Sequence, residues 1–251
     1  SSFVKVIEDT GISQYFGWWN SIQGGDFDND GDTDYIVGNL GLNSRYKATV
    51  DKPILIYALD LDENGSMDPI VFYHEGEKVF PIHARDELIG RVISLRKKFY
   101  SYEDFSDAQL DDILTQEQQE RAYKLKVTIL ESVLVENLGD GQFTMKPLPA
   151  KAQMAPVFGV QPLDINDDNL LDLVLVGNSF SNAVNDGNFD AMNGLVLLGK
   201  EGCTFEAMNY LEGGLSIGGD AKALTYLVDS KGKLNLIATQ NNGPLKAFAF
   251  N

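Results

Sequence analysis

A single cysteine, Cys203, in 251 residues excludes an internal disulfide framework. A small apolar core residue is the simplest role for it. Positive charge is scarce too: 20 Lys and Arg stand against 37 Asp and Glu, a formal net charge of −17. That balance repels nucleic-acid phosphates and anionic membrane surfaces, so neither is an expected partner. No apolar run approaches the length of a membrane-spanning helix, and the first residues lack the pattern of a secretory leader. The chain opens on Ser1-Ser2-Phe3-Val4-Lys5-Val6, already strand-like. The expectation is therefore a piece of a longer protein, with any targeting signal in the missing part.

Catalytic motifs are as sparse. Gly214-Leu215-Ser216-Ile217-Gly218 matches the G-x-S-x-G elbow, but an α/β-hydrolase places its histidine after the serine, and both His74 and His83 precede it. Loop glycines explain it better. The two histidines have no metal-ligand spacing, which favours a surface or interface role. No glycine loop of the G-x-x-x-x-G-K type occurs. Trp18 and Trp19 could stack on a sugar ring, although one core and one rim residue is the commoner arrangement.

What the chain does have is acidic loops. In Asp26-Phe27-Asp28-Asn29-Asp30-Gly31-Asp32-Thr33-Asp34, acids fall at positions 1, 3, 5 and 9, with glycine at 6. Alternate positions let carboxylates converge, and glycine permits the sharp turn. Five carboxylates in nine residues repel one another unless a hard, oxygen-seeking cation sits among them. Ca²⁺ fits best, because it accepts many oxygens in flexible geometry. A solvated acidic turn is the alternative for any one loop, but the pattern occurs three times. Asp60-Leu61-Asp62-Glu63-Asn64-Gly65-Ser66-Met67-Asp68 repeats it, and so does Asp164-Ile165-Asn166-Asp167-Asp168-Asn169-Leu170-Leu171-Asp172, with Asn169 in place of the glycine. Asparagine is the next-best residue for a left-handed backbone position. An apolar run ending in Gly-Asn follows the first loop at Gly38-Asn39 and the third at Gly177-Asn178.

An EF-hand would need an acid at position 12 and a helix beyond it; Val37, Val71 and Leu175 stand there, in short β-branched runs that read as strands. The loops therefore predict hairpin connections. Residues 84–126 break the pattern. Over 86–99, Leu88, Ile89, Val92, Ile93 and Leu95 share one helical face, with Arg96, Lys97 and Lys98 at the end favoured by the helix dipole. Ser106-x-x-Gln109 and Thr115-x-x-Gln118 have capping-box spacing, predicting two more helices. A helical insertion within one domain, residues 1–251, is the expected organisation. Strand patterns resume over 126–137, and three strands close the chain over 221–250. In that last unit Lys231 takes a ligand position and Asn235 the closing one, so it should bind no metal.

Many short strands joined by hairpins make the expected fold mainly β: a β-propeller of about four to five blades, or an arc of a larger one. Residues 3–8 are expected to complete the blade of 221–250 and close the ring.

Phe16-Gly17-Trp18-Trp19-Asn20-Ser21-Ile22-Gln23-Gly24-Gly25-Asp26, running into the first loop, resembles the FG-GAP repeat of integrin α-subunit propellers and the related VCBS repeats of bacterial surface and secreted proteins. Phe158-Gly159 before Asp164 repeats the signature in shortened form. No Gly-Ala-Pro follows Phe16-Gly17, which makes the bacterial relatives the nearer likeness; residues 84–126 lie outside it. The resemblance implies Ca²⁺ held as a structural brace within hairpins. Side-chain ligands would be Asp26, Asp28, Asp30 and Asp34; Asp60, Asp62, Asn64 and Asp68; and Asp164, Asn166, Asp168 and Asp172. Backbone carbonyls would come from Asp32, Ser66 and Leu170.

The functional expectation is a non-enzymatic, calcium-stabilised binding or adhesion module, extracellular, at the cell surface or periplasmic, recognising a protein or glycan. A carbohydrate-active enzyme or accessory domain is the alternative. Residues 84–126, 40–52 and 178–193, which depart from the repeat, are the expected partner surfaces.

Overall fold

The computed structural model describes residues 10–182 and 186–249. The strand expected over 3–8 lies outside them. In chain order, a hairpin comes first, β1 (Ser21–Gly25) and β2 (Asp34–Gly38). Three strands follow, β3 (Ile54–Leu59), β4 (Asp68–Glu75) and β5 (Lys78–Pro81). Five short helices come next: α1 (Arg85–Arg91), α2 (Leu95–Lys98), α3 (Tyr102–Ser106), α4 (Leu110–Ile113) and α5 (Gln116–Arg121). After β6 (Tyr123–Val127) there is a second hairpin, β7 (Val133–Asn137) and β8 (Phe143–Pro147). Then come β9 (Val157–Leu163), β10 (Asp172–Gly177), β11 (Leu195–Lys200) and β12 (Thr204–Ala207). A short helix, α6 (Tyr210–Gly213), precedes β13 (Ala221–Val228), β14 (Leu234–Gln240) and β15 (Lys246–Ala249). The protein is thus mainly β, and every strand pair among the described residues is antiparallel.

The chain divides into two compact units, one built from residues up to Arg45 and from Leu130 onward, the other from Tyr46–Ile129. Among the described residues the larger unit holds three sheets, ordered β1-β2-β7-β8, β9-β10-β11-β12 and β13-β14-β15. Each is a meander. β1 lies against β9, and β9 against β13, so the first strands of the three sheets adjoin. All six residues of β10 are buried, because both faces of its sheet are covered. Strand alternation sends Leu173 and Leu175 into a core with Ile36, Leu134 and Val157, while Val174 and Val176 meet Ile217, Leu236 and Ala238. A strand covered on both sides has no polar face, which is why it reads as an unbroken apolar run.

The recurring Gly-Asn has a structural role. A Cβ on Gly38 would lie 2.3 Å from the Val157 carbonyl oxygen, and one on Gly177 only 1.7 Å from that of Pro156. Glycine here permits backbone to touch backbone. The asparagines then latch the chain beyond the strand. Asn178 is 1% exposed; its amide donates to the carbonyls of Met192 (2.7 Å) and Gly219 (2.9 Å), while its Oδ1 accepts from Met192 N (3.0 Å). Asn39, fully buried, donates from Nδ2 to the Glu131 carbonyl and accepts from Leu40 N.

In the smaller unit the sheet order is β5-β4-β3-β6. Three hairpin-connected strands and a fourth that returns beside the first make a Greek key, not a meander. The helices are the long connection. Leu88, Val92, Leu95 and Phe99 of the helical stretch pack with Ile70 and Phe72 of the sheet. That spacing keeps the helical period, yet the helix expected over 86–99 is broken: Val92 leaves the helical region at φ −123°, and Ile93 is 69% exposed. The capping box at Thr115 and Gln118 is present. The one expected at Ser106 is not, because Ser106 ends α3 and its hydroxyl donates to the Glu103 carbonyl. Ser101 and Asp104 form a box instead, and α4 begins after Gln109. The strand pattern over 126–137 also resolves into two strands, β6 beside β3 and β7 beside β2. The buried link Thr128–Ser132 between them is as apolar as its flanks, so hydropathy does not mark the break.

Gly177→Ala should destabilise the protein by about 3 kcal/mol in urea unfolding, since backbone, not a side chain, must yield. Gly90→Ala, in α1 with open space around the new methyl, should stabilise it by about 0.5–1 kcal/mol.

Candidate metal centre

The three acidic loops are hairpin connections, joining β1 to β2, β3 to β4 and β9 to β10. Each turns on two left-handed residues. Position 6 is one of them: Gly31 (φ 95°), Gly65 (φ 86°) and Asn169 (φ 65°). Position 4 is the other, occupied by Asn29 (φ 63°), Glu63 (φ 60°) and Asp167 (φ 57°). The sequence signals the first through glycine. It hides the second, because no glycine marks it.

Backbone amides point inward along the turn, and the same acceptors meet them in all three loops. The position-1 carboxylate accepts from the position-6 amide: Asp26 from Gly31 (3.1 Å), Asp60 from Gly65 (2.8 Å), Asp164 from Asn169 (3.0 Å). Position 3 accepts from position 5: Asp28 from Asp30 N (3.2 Å), Asp62 from Asn64 N (3.3 Å), Asn166 from Asp168 N (3.2 Å). Position 5 accepts from position 7: Asp30 from Asp32 N (2.9 Å), Asn64 from Ser66 N (2.8 Å), Asp168 from Leu170 N (2.9 Å).

Position 9 closes the loop. Oδ2 of Asp34, Asp68 and Asp172 accepts from the position-2 amide, Phe27 N (3.0 Å), Leu61 N (3.1 Å) and Ile165 N (2.8 Å). Asp34 and Asp172, both fully buried, also reach the third strand of their sheets or its turn. Asp34 Oδ1 accepts from Asn137 N (2.8 Å) and Asp172 Oδ1 from Gly199 N (2.7 Å). Burial pushes the Asp172 carboxyl up, and the two amides pull against that shift.

The loops differ in how much negative charge is left unmet. Asp26, Asp28 and Asp34 bring carboxylate oxygens within 4.8 Å of one another, and so do Asp60, Asp62 and Asp68. In the first loop Asp26 Oδ1 and Asp32 Oδ1 are buried without a hydrogen-bond partner. Desolvation raises the Asp28 and Asp32 carboxyls, and neighbouring carboxylates of the loop add to it. Orphaned, crowded oxygens fit a hard divalent cation, whose charge would relieve both costs. The third loop relieves part of its charge internally: Asn166 Nδ2 donates to Asp168 Oδ2 at 2.9 Å. At the turn between β13 and β14, Asp229 Oδ1 accepts from Lys231 N (2.8 Å) and Lys233 N (2.9 Å).

Two neighbours of the first loop come from distant sequence. Glu136 on β7 and Cys203, in the turn between β11 and β12, join Asp28 in a second cluster within 4.8 Å. Glu136 is held by Lys146 at 2.8 Å. Burial first, then the carboxylates, push the Cys203 thiol up to about 12, so it stays protonated; its Sγ lies 3.9 Å from Asp34 Oδ2. Only tertiary folding brings these groups to the loop. The first and third loops also meet, through Asn29 Nδ2 donating to the Asn169 carbonyl at 3.1 Å.

The motifs set aside by sequence fall elsewhere. Ser216 sits in irregular chain between α6 and β13, with Leu215 and Ile217 buried on either side. His83 is half-buried, not a surface residue. Its Nε2 accepts from Val71 N (3.3 Å), which assigns the proton to Nδ1, facing Glu87 Oε1 at 2.8 Å. Trp19 borders a groove of about 580 Å³ with Tyr15, Tyr35, Phe143 and Met145. No protein-family model matches the chain, and comparison with curated proteins and with solved structures finds no match.

Asp172→Ala strands the amides of Ile165 and Gly199 and should cost about 2–4 kcal/mol in urea unfolding with chelator present. Asp30→Ala, whose one acceptor role is at the exposed turn, should cost about 1 kcal/mol or less under the same conditions.

Proposed function

We propose that the chain is a calcium-braced binding module in which the three meander sheets of the larger unit are consecutive blades of a β-propeller or of an arc of one. The observation that carries the reading is the first loop, where three carboxylates converge and two buried oxygens have no partner. The ladder of amide-to-carboxylate bonds repeated in the second and third loops supports it. So does the adjacency of β1, β9 and β13, since a propeller sets the first strand of each blade side by side. Asp26, Asp28, Asp30 and Asp34 would hold the strongest ion. Asp60, Asp62, Asn64 and Asp68 would hold a second, and Asp164, Asn166, Asp168 and Asp172 the weakest. Bound Ca²⁺ would supply charge neutralisation, not chemistry. Sites of this grade fill at millimolar calcium, which suits a module outside the cytoplasm, at a cell surface or in the periplasm. The groove beside Trp19 is lined, among the described residues, by aromatic, aliphatic and neutral polar side chains, which supports the binding reading.

Calcium at a hundredfold excess over Kd should raise Tm by about 5–10 °C per filled loop, and chelator should reverse it. Asp26→Asn should diminish that shift more than Asp164→Asn does. An unchanged Tm with calcium and with chelator overturns the calcium reading. The shift should also shrink on acidification. The Asp28 and Asp32 carboxyls lie above the ordinary 3.8, so they hold protons at a pH where ordinary aspartates are charged, and the ion must displace them. In the apo protein the sign is opposite. Their repulsion costs stability at neutral pH and is relieved as pH falls through the raised values. Thermal melts across pH 4–7, with and without calcium, read both trends.

A further inference from the structure

On a chain of net charge −17, the first two helices of the smaller unit run the other way. Arg85, Arg91, Arg96, Lys97 and Lys98 stand there against Asp86 and Glu87. A cavity of about 520 Å³ opens among them, lined by Arg85, Ile93, Arg96, Lys97 and Tyr100. Its cations are not equally occupied. Arg85 is pinned, with Nε donating to the Phe99 carbonyl (2.9 Å), Nη2 to the Tyr100 carbonyl (2.7 Å) and Nη1 to Asp86 Oδ1 (2.7 Å). Lys98 donates to the Asp112 carbonyl, and Arg91 is paired with Glu87 at 2.7 Å. The side chains of Arg96 and Lys97 are exposed and make no hydrogen bond or ion pair among the described residues. Asp86, next to Arg85 of the lining, is already satisfied by Arg85 and by the Tyr102 hydroxyl. Two uncompensated cations therefore border the opening.

Beside them stands apolar surface that nothing in the smaller unit covers. Ile93 is 69% exposed and Tyr100 86%. A guanidinium fork and an ammonium recognise oxyanions, the fork by paired hydrogen bonds and the ammonium as a point charge. An exposed tyrosine ring and an isoleucine recognise a flat apolar face. Anionic carbohydrates carry both features on a scale that a cavity of this size accepts.

We propose that this cavity binds an anionic carbohydrate, a sugar whose ring lies on Tyr100 and Ile93 while its carboxylate or sulfate group meets Arg96 and Lys97. The pinned Arg85 fixes the floor, because its bonds to the Phe99 and Tyr100 carbonyls hold the turn that carries Tyr100. The proposal rests on the binding-module reading and gives that module a ligand class. An acidic peptide could meet the charges but brings no ring to Tyr100, and the test separates the two.

The test titrates the full chain, calcium-saturated, with a sulfated oligosaccharide, a uronate oligosaccharide, a neutral oligosaccharide of equal length and a pentaglutamate peptide. At least one charged sugar should bind about tenfold or more tighter than the neutral sugar and the peptide, and added salt should weaken it. The pair Arg96→Gln and Lys97→Gln should reduce that affinity about tenfold. Tyr100→Ala should weaken sugar binding while leaving the weak binding of inorganic sulfate unchanged. These positions are exposed, and melting curves on the same samples report both folding and the calcium shift. An intact calcium shift with no charged-sugar binding overturns this proposal alone. Equal binding of pentaglutamate, or no effect of the glutamine pair, also overturns it.

Discussion

A buried carboxylate that accepts hydrogen bonds from two separate stretches of backbone is the constraint on which the larger unit turns. Asp34 and Asp172 each close a hairpin loop through one oxygen and reach a third strand or its turn through the other. Three strands of the sheet are tied together at that point. Each carboxylate would be expensive to bury alone, and each is retained because two amides would be orphaned without it. The other acids of the loop gather around this fixed point. Their crowding is therefore a product of a structural bond, and the ion we propose answers a charge problem that the fold itself creates.

The Gly-Asn that ends each middle strand works at the opposite end of the hairpin. Glycine lets backbone meet backbone, between two sheets at Gly38 and against the start of the partner strand at Gly177, and a buried asparagine fastens the departing chain. Acidic loop at one end and Gly-Asn at the other define a repeating structural element in β1–β2 and β9–β10. The second acidic loop, between β3 and β4, has the ladder but not the Gly-Asn. It belongs to a sheet of different strand order.

The hairpins, the turn at Asn169, the closing three-stranded sheet and the Thr115 capping box were all legible in the sequence, since each is written in local chemistry. The left-handed residues at position 4 were not, because Asn29, Glu63 and Asp167 share no conformational signature. Nor were Glu136 and Cys203 beside the first loop, which only strand pairing brings there. Ser106 shows how a local signal misleads: its capping spacing is real, but α3, capped by Ser101 and Asp104, runs through Ser106, and the next helix starts only after Gln109. The double role of the closing aspartates was invisible for a related reason, as their second donors, Asn137 and Gly199, lie far along the chain. The Greek key was hidden in the same way, because a returning strand such as β6 has no mark of its own.

The pairing of Val37 with Val133 carries a consequence for synthesis on the ribosome. β2 emerges first, yet the strand that covers its open edge emerges only after the whole of Tyr46–Ile129 has left the exit tunnel. During that interval the nascent hairpin exposes unpaired amides and carbonyls to every other chain nearby. The two points where the intervening segment departs and returns are fastened by Gly41 N donating to the Leu130 carbonyl at 2.8 Å. To the larger unit that segment is a tethered cassette, entering and leaving through a single doorway.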